Sequence, residues 1–178
     1  MATELHTARL RLRLHRLSDT DALLAYYGEP GVARYLLEGP WTVRTAPKKV
    51  AQRVERTGFA DDGTALALVA EADGTVVGDI ALWLTDDTRR KAEIGWAFNP
   101  RFAGRGYATE AARAVLDHAF DDLGLLRVVA QMDARNAASA RLCERLGMTR
   151  EAHLRHDWFA KGEWTDTFVY GLLATDRG

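Results

Sequence analysis

The ten residues RFAGRGYATE, 101–110, constrain this chain more than any others. They follow an apolar, strand-like run, AEIGWAF at 92–98. They precede a stretch in which Ala108, Ala111, Ala112, Val115, Ala119 and Phe120 recur at helical spacing. A strand that feeds through a glycine-rich turn into an amphipathic helix leaves the first helical amides without partners, with the positive end of the helix dipole behind them. Gly104 and Gly106 would let that backbone curl and approach an anion with no side chain in the way. The same letters also suit a plain strand-to-helix turn that uses glycine only for its backbone angles.

The rest of the chain supplies the frame. Leu10, Leu12 and Leu14 alternate with Arg and His, the period of a half-buried strand. Ser18, with Asp21 three residues later, resembles a capping box for a helix through Leu23, Leu24 and Tyr27 that ends near Gly28 and Pro30. A second helix is expected after Thr45 and Pro47. Residues 64–84 read as a hairpin turning at Asp73-Gly74. After the amphipathic helix come a buried strand, RVVAQMD at 127–133, and a helix from Ala137 to Leu146 closed by Gly147. Two strands then flank a turn at Lys161 to Glu163. This order predicts an α+β fold, a mixed sheet with helices packed over it. No repeat, low-complexity tract or linker divides the sequence, so a single domain over 1–178 is expected.

Several function classes are excluded. With 24 basic and 25 acidic residues the net charge is −1, so no overall field draws the chain to nucleic acid or to a membrane. Any phosphate must be bound locally. No apolar run approaches the ~20 residues needed to cross a bilayer, and nothing in the first thirty residues reads as a secretion signal. The single cysteine, Cys143, excludes an internal disulfide and a thiolate cluster, and His153 and His156 stand without further ligands. A cytoplasmic protein without a metal is the expectation. Among phosphate loops, a Walker-type sequence fails because Gly106 is followed by Tyr107. A dinucleotide fingerprint fails because Thr109 stands where Gly or Ala is required.

What remains, Arg101-Phe-Ala-Gly104-Arg-Gly106, closely resembles the Arg/Gln-x-x-Gly-x-Gly/Ala signature of the Gcn5-related N-acetyltransferases (GNAT), and the tail YATEAA is typical of the same superfamily. A second segment, Asn136 to Met148, resembles the superfamily's other cofactor-side motif at the expected distance. The start RLRLRLHRLSDTDA and the ending GEWTDTFVYGLL resemble the branch of ribosomal-protein N-terminal (alanine/serine) acetyltransferases. The resemblance covers nearly the whole chain, most weakly from about 30 to 60. It implies the GNAT fold: a mostly antiparallel sheet of about seven strands, splayed between the fourth and fifth, with helices on both faces. Acetyl-CoA would lie in the gap as cosubstrate, and a primary amine would be the acceptor. The family also forms homodimers.

By that resemblance, amides of Gly104, Arg105, Gly106, Tyr107 and Ala108 hold the pyrophosphate, with the side chains of Arg101 and Arg105 adding charge. Trp96, Ala97 and Phe98 offer a strand edge to the pantetheine arm, and an amide near Phe98 would polarise the thioester oxygen. Thr109 lends a hydroxyl, whereas Glu110 is explained by the helix dipole alone. Asn136, Ser139 and Cys143 fall on one stripe of their helix. Asn136 serves as N-cap, as cofactor contact, or as both. Many relatives carry a Tyr where Cys143 stands, and cysteine is a poor acid. Ser139 is therefore the first candidate to protonate the departing thiolate, and Cys143 is expected to be packed and inert. For the base, Glu93 on the strand beside the gap is the first choice, ahead of Asp79 and Asp133, with a structural carboxylate as the competing reading. Trp83, Trp96 and Trp158 are expected near the acceptor. The Cys143 departure also keeps open a non-catalytic acyl-CoA-binding sensor that has kept the turn and lost the chemistry.

Overall fold

Of the alternating leucines near the N-terminus, Leu12 and Leu14 lie on a strand, the second of nine in a computed structural model that describes residues 3–177, while Leu10 falls in the turn before it. In chain order the elements are β1 (Glu4–His6), β2 (Arg11–Leu14), α1 (Thr20–Tyr27), α2 (Pro30–Ala33), α3 (Ala46–Val54), β3 (Thr57–Gly58), β4 (Ala65–Ala72), β5 (Thr75–Leu84) and β6 (Lys91–Phe98). They continue with α4 (Tyr107–Asp117), β7 (Arg127–Asp133), α5 (Ala137–Arg145), β8 (Thr149–Ala160) and β9 (Glu163–Leu173). The sheet order is β1-β2-β4-β5-β6-β7-β9-β8, with β3 pairing β4 off this path. The seven expected strands are all present. The two additional ones, β1 and β3, are three and two residues long, too short to give a period in the sequence.

All neighbours are antiparallel except β6 and β7. That parallel pair is joined only at Lys91↔Arg127, Ala92↔Val128 and Glu93↔Val129. Beyond Glu93 the strands part, although β6 runs on to Phe98 and β7 to Asp133. β6 keeps its other ladder to the end, pairing β5 without a break from Leu84↔Ala92 to Gly78↔Phe98. The sheet is therefore open on one side of β6 at mid-length.

Two cores flank it. The larger packs Ala111, Ala112, Val115 and Leu116 of α4 and Ala140 and Cys143 of α5 against Leu12, Leu68, Ile80, Leu82 and Ile94. The smaller, on the opposite face, gathers Leu23, Tyr26 and Tyr27 of α1, Ala46 and Val50 of α3, and Trp41 against Ala97. Alternation along β6 explains the split: Ala97 joins the smaller core, while its neighbours Trp96 and Phe98 pack on the larger. The Asp73-Gly74 turn has φ of 48° and 74°, the left-handed pair that a two-residue hairpin requires.

One expected cap is replaced. Asp19, not Asp21, accepts the Arg16 amide at 2.7 Å and the guanidinium of Arg13 at 2.8 and 2.9 Å, and Arg13 also reaches Glu71. The Ser18/Asp21 pattern satisfies the local rule, but a buried arginine on β2 recruits the carboxylate between them. The hairpin β8–β9 carries a bulge at 155–157, where Asp166 holds the His156 amide at 2.9 Å and the His153 ring at 2.8 Å. Among the described residues no helix is long and apolar enough to cross a membrane.

Candidate active site

The glycine-rich turn sits at the head of α4, next to the open side of β6. Gly104 and Gly106 have φ of 76° and 79°, so both occupy the left-handed region that a side chain disfavours. Among the described residues, the amides of Gly104, Arg105, Gly106, Tyr107, Ala108 and Thr109 find no internal acceptor, and the first amide that does is Glu110, bonded to the Gly106 carbonyl at 3.0 Å. The donors expected from the sequence are therefore free, at the positive end of an 11-residue helix.

A brace that the sequence does not reveal fixes this turn from the far end of the chain. Arg9, between β1 and β2, donates from Nε to Glu110 at 2.7 Å and from its amide to the same carboxylate at 2.9 Å. It also donates from Nη1 to the Arg105 carbonyl at 2.9 Å. Thr7 adds a hydroxyl bond to Glu110 at 2.6 Å. Glu110 thus has its partners inside the protein, which lower its pKa against the opposing effect of burial. Arg101 and Arg105 are exposed at the rim, the latter lying over the Phe102 ring at 5.5 Å.

From the turn a cavity of about 620 Å³ extends along the gap, lined by Gly104, Gly106, Tyr107, Ala108 and Thr109 at one end and by Trp96, Ala97, Phe98, Asn136 and Ser139 further in. The ladder bonds at the two ends of β6 fix the direction of its main chain. Thr85 donates to the Lys91 carbonyl at 3.0 Å, and Asn99 donates to the Val77 carbonyl at 2.9 Å. Odd-numbered residues therefore face β5, and the main-chain groups of Trp96 and Phe98 point into the gap. An extended amide-bearing chain can pair there as a further strand.

Ser139 and Trp96 close the inner wall. The indole Nε1 of Trp96 donates to Ser139 Oγ at 3.2 Å. Because this oxygen accepts the indole proton, its own proton is available to donate elsewhere. Asn136 caps α5, its Oδ1 accepting the Ser139 amide at 3.1 Å, while it also lines the cavity. Arg145, not singled out from the sequence, lines the cavity and donates to Thr109 Oγ1 at 3.1 Å. Cys143 is buried on α5 and outside the cavity lining, and burial pushes its thiol up to about 12.

Glu93 occupies the fork, at the last β6–β7 pair before the strands diverge. Burial raises its pKa against a bond from Gln131 Nε2 at 3.0 Å. It lines a second cavity of about 320 Å³ with Trp83 and Trp158. The other two carboxylates weighed for a base are engaged. Asp133 is held by Arg135 at 2.7 Å. Asp79 accepts from Tyr26 at 2.8 Å, from Tyr27 at 2.9 Å and from Arg53 at 3.2 Å. Stripping one partner from that buried set would leave polar groups unpaired, at a cost of about 3–5 kcal/mol. Asp79 is structural on this geometry. A third cavity of about 380 Å³ lies beside it, against Trp41, Trp83 and Trp96. Leu36, in the stretch of weakest resemblance, lines all three cavities.

Comparison with known proteins agrees with this arrangement. The acetyltransferase (GNAT) domain profile matches residues 9–149. The N-acetyltransferase p20 of Bacillus licheniformis is 28% identical over 169 residues, 95% of each chain. YdaF of Bacillus subtilis, named as a candidate ribosomal N-acetyltransferase, is 36% identical over 101 residues, 57% of this chain and 55% of its own. A crystal structure of a GNAT-family acetyltransferase from Bacillus anthracis superposes with a TM-score of 0.87 at 27% identity, covering 97% of this chain and 99% of that one. A splayed parallel pair, a turn of free amides and a matching profile across most of the sequence lead to one conclusion: the chain belongs to the GNAT family and is an N-acetyltransferase.

Proposed function

We propose that this enzyme transfers an acetyl group from acetyl-CoA to a primary amine, a protein N-terminus or a small molecule, by direct attack while both substrates are bound. The observation that carries this reading is the continuity of one cavity from the six unpartnered amides of 104–109 to the open main-chain edge at Trp96 and Phe98. The amides suit a diphosphate, and the edge suits the amide-bearing arm that follows it. One domain spanning 1–178 belongs to the same reading.

The thioester supplies an activated acetyl carbon within reach of an amine. An alkylammonium with a pKa near ~10 must lose a proton before it can attack. Glu93 takes that proton through water: it faces no basic partner, and its raised pKa makes it a stronger base than an ordinary carboxylate. The amine nitrogen bonds to the acetyl carbon, the carbon–sulfur bond breaks, and the thiolate receives a proton from Ser139, whose oxygen is held by Trp96 and regains the proton that the attacking nitrogen releases as the amide forms. A main-chain amide at Phe98 stabilises the thioester oxygen as it gains charge. Asn136 and Thr109 line the arm's path, and Arg101 and Arg105 screen the phosphates at the rim. Cys143 carries no acyl group, because its thiol is buried and raised far above neutrality.

The test is acetyl-CoA binding by calorimetry together with thiol release in the presence of amines. Gly106→Trp, which fills the cradle, should weaken acetyl-CoA binding at least about tenfold, a loss of ~1.4 kcal/mol. Unchanged affinity in a folded variant would remove the cradle from the mechanism. Binding without thiol release from any amine would favour an acyl-CoA sensor.

A further inference from the structure

We infer that the acceptor is a small primary amine with one positive charge on an apolar, ring-sized body. This rests on the transfer reading above and on the chamber around Glu93. That chamber, about 320 Å³, lies near the small end of the ~300–1,000 Å³ range of ligand pockets. Its walls include Trp83, Trp158, Tyr35 and Leu36. Trp158 is 48% exposed, a large apolar surface left open at a cavity.

Charge accounting excludes a polycation. Three carboxylates line the chamber: Glu93, Asp133 and Glu163. Arg135 bridges two of them, reaching Asp133 at 2.7 Å and Glu163 at 2.8 Å, and Lys161 in the same lining adds a second positive charge. Only Glu93 remains without a basic partner among the described residues, bonded instead to the neutral Gln131. Arg34, which also lines the chamber, has no carboxylate partner among the described residues and lies over the Tyr35 ring at 5.2 Å. The adjoining cavity behind Trp83 repeats the pattern. There Glu38 is paired with Lys49 and Asp79 with Arg53, and Arg56 stands beside them without an acidic partner among the described residues. A polyamine or aminoglycoside needs an anion near each ammonium it buries, and neither cavity offers a net negative charge: the chamber sets Glu93, Asp133 and Glu163 against Arg34, Arg135 and Lys161, and the adjoining cavity sets Glu38 and Asp79 against Lys49, Arg53 and Arg56. One ammonium beside Glu93 and an apolar ring between Trp83 and Trp158 match the one carboxylate without a cationic partner and the open aromatic walls of the chamber.

The test compares tryptamine, phenethylamine, spermidine, kanamycin and a short peptide with an N-terminal serine, by thiol release from acetyl-CoA with the intact enzyme. Tryptamine or phenethylamine should exceed each of the other three in kcat/KM by about tenfold or more. Trp158→Ala should raise the KM of the favoured amine about tenfold with the KM of acetyl-CoA unchanged, and Trp158→Phe should restore most of the loss. The inference is overturned if spermidine, kanamycin or the peptide is preferred, if no amine is acetylated, or if Trp158→Ala shifts both KM values alike. Calorimetry with acetyl-CoA alone separates the two failures. Retained binding with acetylation of another amine leaves the transfer reading standing and removes only the acceptor assignment, whereas retained binding without any acetylation, or absent binding, removes both.

Discussion

The indole of Trp96 and the hydroxyl of Ser139 meet at 3.2 Å between the open strand and α5, and this bond sets which way the serine proton can point. Ser139→Ala should lower kcat about a hundredfold, the lower end of the range for a positioned proton donor, with the KM of acetyl-CoA within about threefold of wild type. Trp96→Phe should give a smaller loss of the same kind, because the hydroxyl survives and loses only its orientation. Steady-state thiol release reads both. Equal kcat in Ser139→Ala and wild type would move the proton donor elsewhere.

The Arg9 brace predicts a loss confined to the phosphate end. Arg9→Ala removes charge-assisted bonds to Glu110 and to the Arg105 carbonyl, which hold the turn from behind. The KM of acetyl-CoA should rise about tenfold with kcat little changed. Acetyl-pantetheine, which lacks the diphosphate, should be used equally well by Arg9→Ala and wild type. A parallel loss with acetyl-pantetheine would mean that Arg9 supports the fold in general and not the turn.

Glu93 predicts a pH profile. Burial raises its pKa above the ordinary glutamate value of 4.5, so it is ionised, and active as a base, only at higher pH than an ordinary glutamate. The rate at limiting amine should fall as pH drops through this raised value. Glu93→Gln should remove that limb and lower kcat about a hundredfold. If the limb survives in Glu93→Gln, another group is the base.

His15 predicts a stability profile that has no bearing on catalysis. Its side chain is fully buried, both ring nitrogens lack a hydrogen-bond partner among the described residues, and Asp79 Oδ2 lies 3.7 Å away, too far for a hydrogen bond. Burial lowers its pKa from 6.5 to about 4, so the folded protein holds it neutral while the unfolded chain takes up a proton. The contribution is complete above pH 6.5 and declines as pH falls toward 4, with a slope of up to about 1.4 kcal/mol per pH unit. Urea titrations at pH 7.5, 6 and 5 should show this decline in wild type and a flatter one in His15→Leu. Identical slopes in the two proteins would exclude His15 as its source.

Local chemistry was legible in the letters. The glycine-rich turn into α4, the Asp73-Gly74 hairpin, the Asn136 cap and the helical stripe of α4 each depend on residues within a few positions of one another, so their spacing pointed to them, though it left open whether the turn's amides and Asn136 serve a ligand. Sequence also ordered the seven long strands, since each has its own period and its own turn signals. What joins distant segments was decided only by the tertiary structure. Arg9 meets Arg105 across 96 positions, and Lys161 of the β8–β9 turn donates to the Ala33 carbonyl across 128. Asp19 abandons a local pattern for a buried arginine, and Leu36 meets three cavities from a stretch with no clear period. Such contacts arise where burial makes an unpaired charge or an open apolar surface costly, and that environment exists only once the sheet has closed around it.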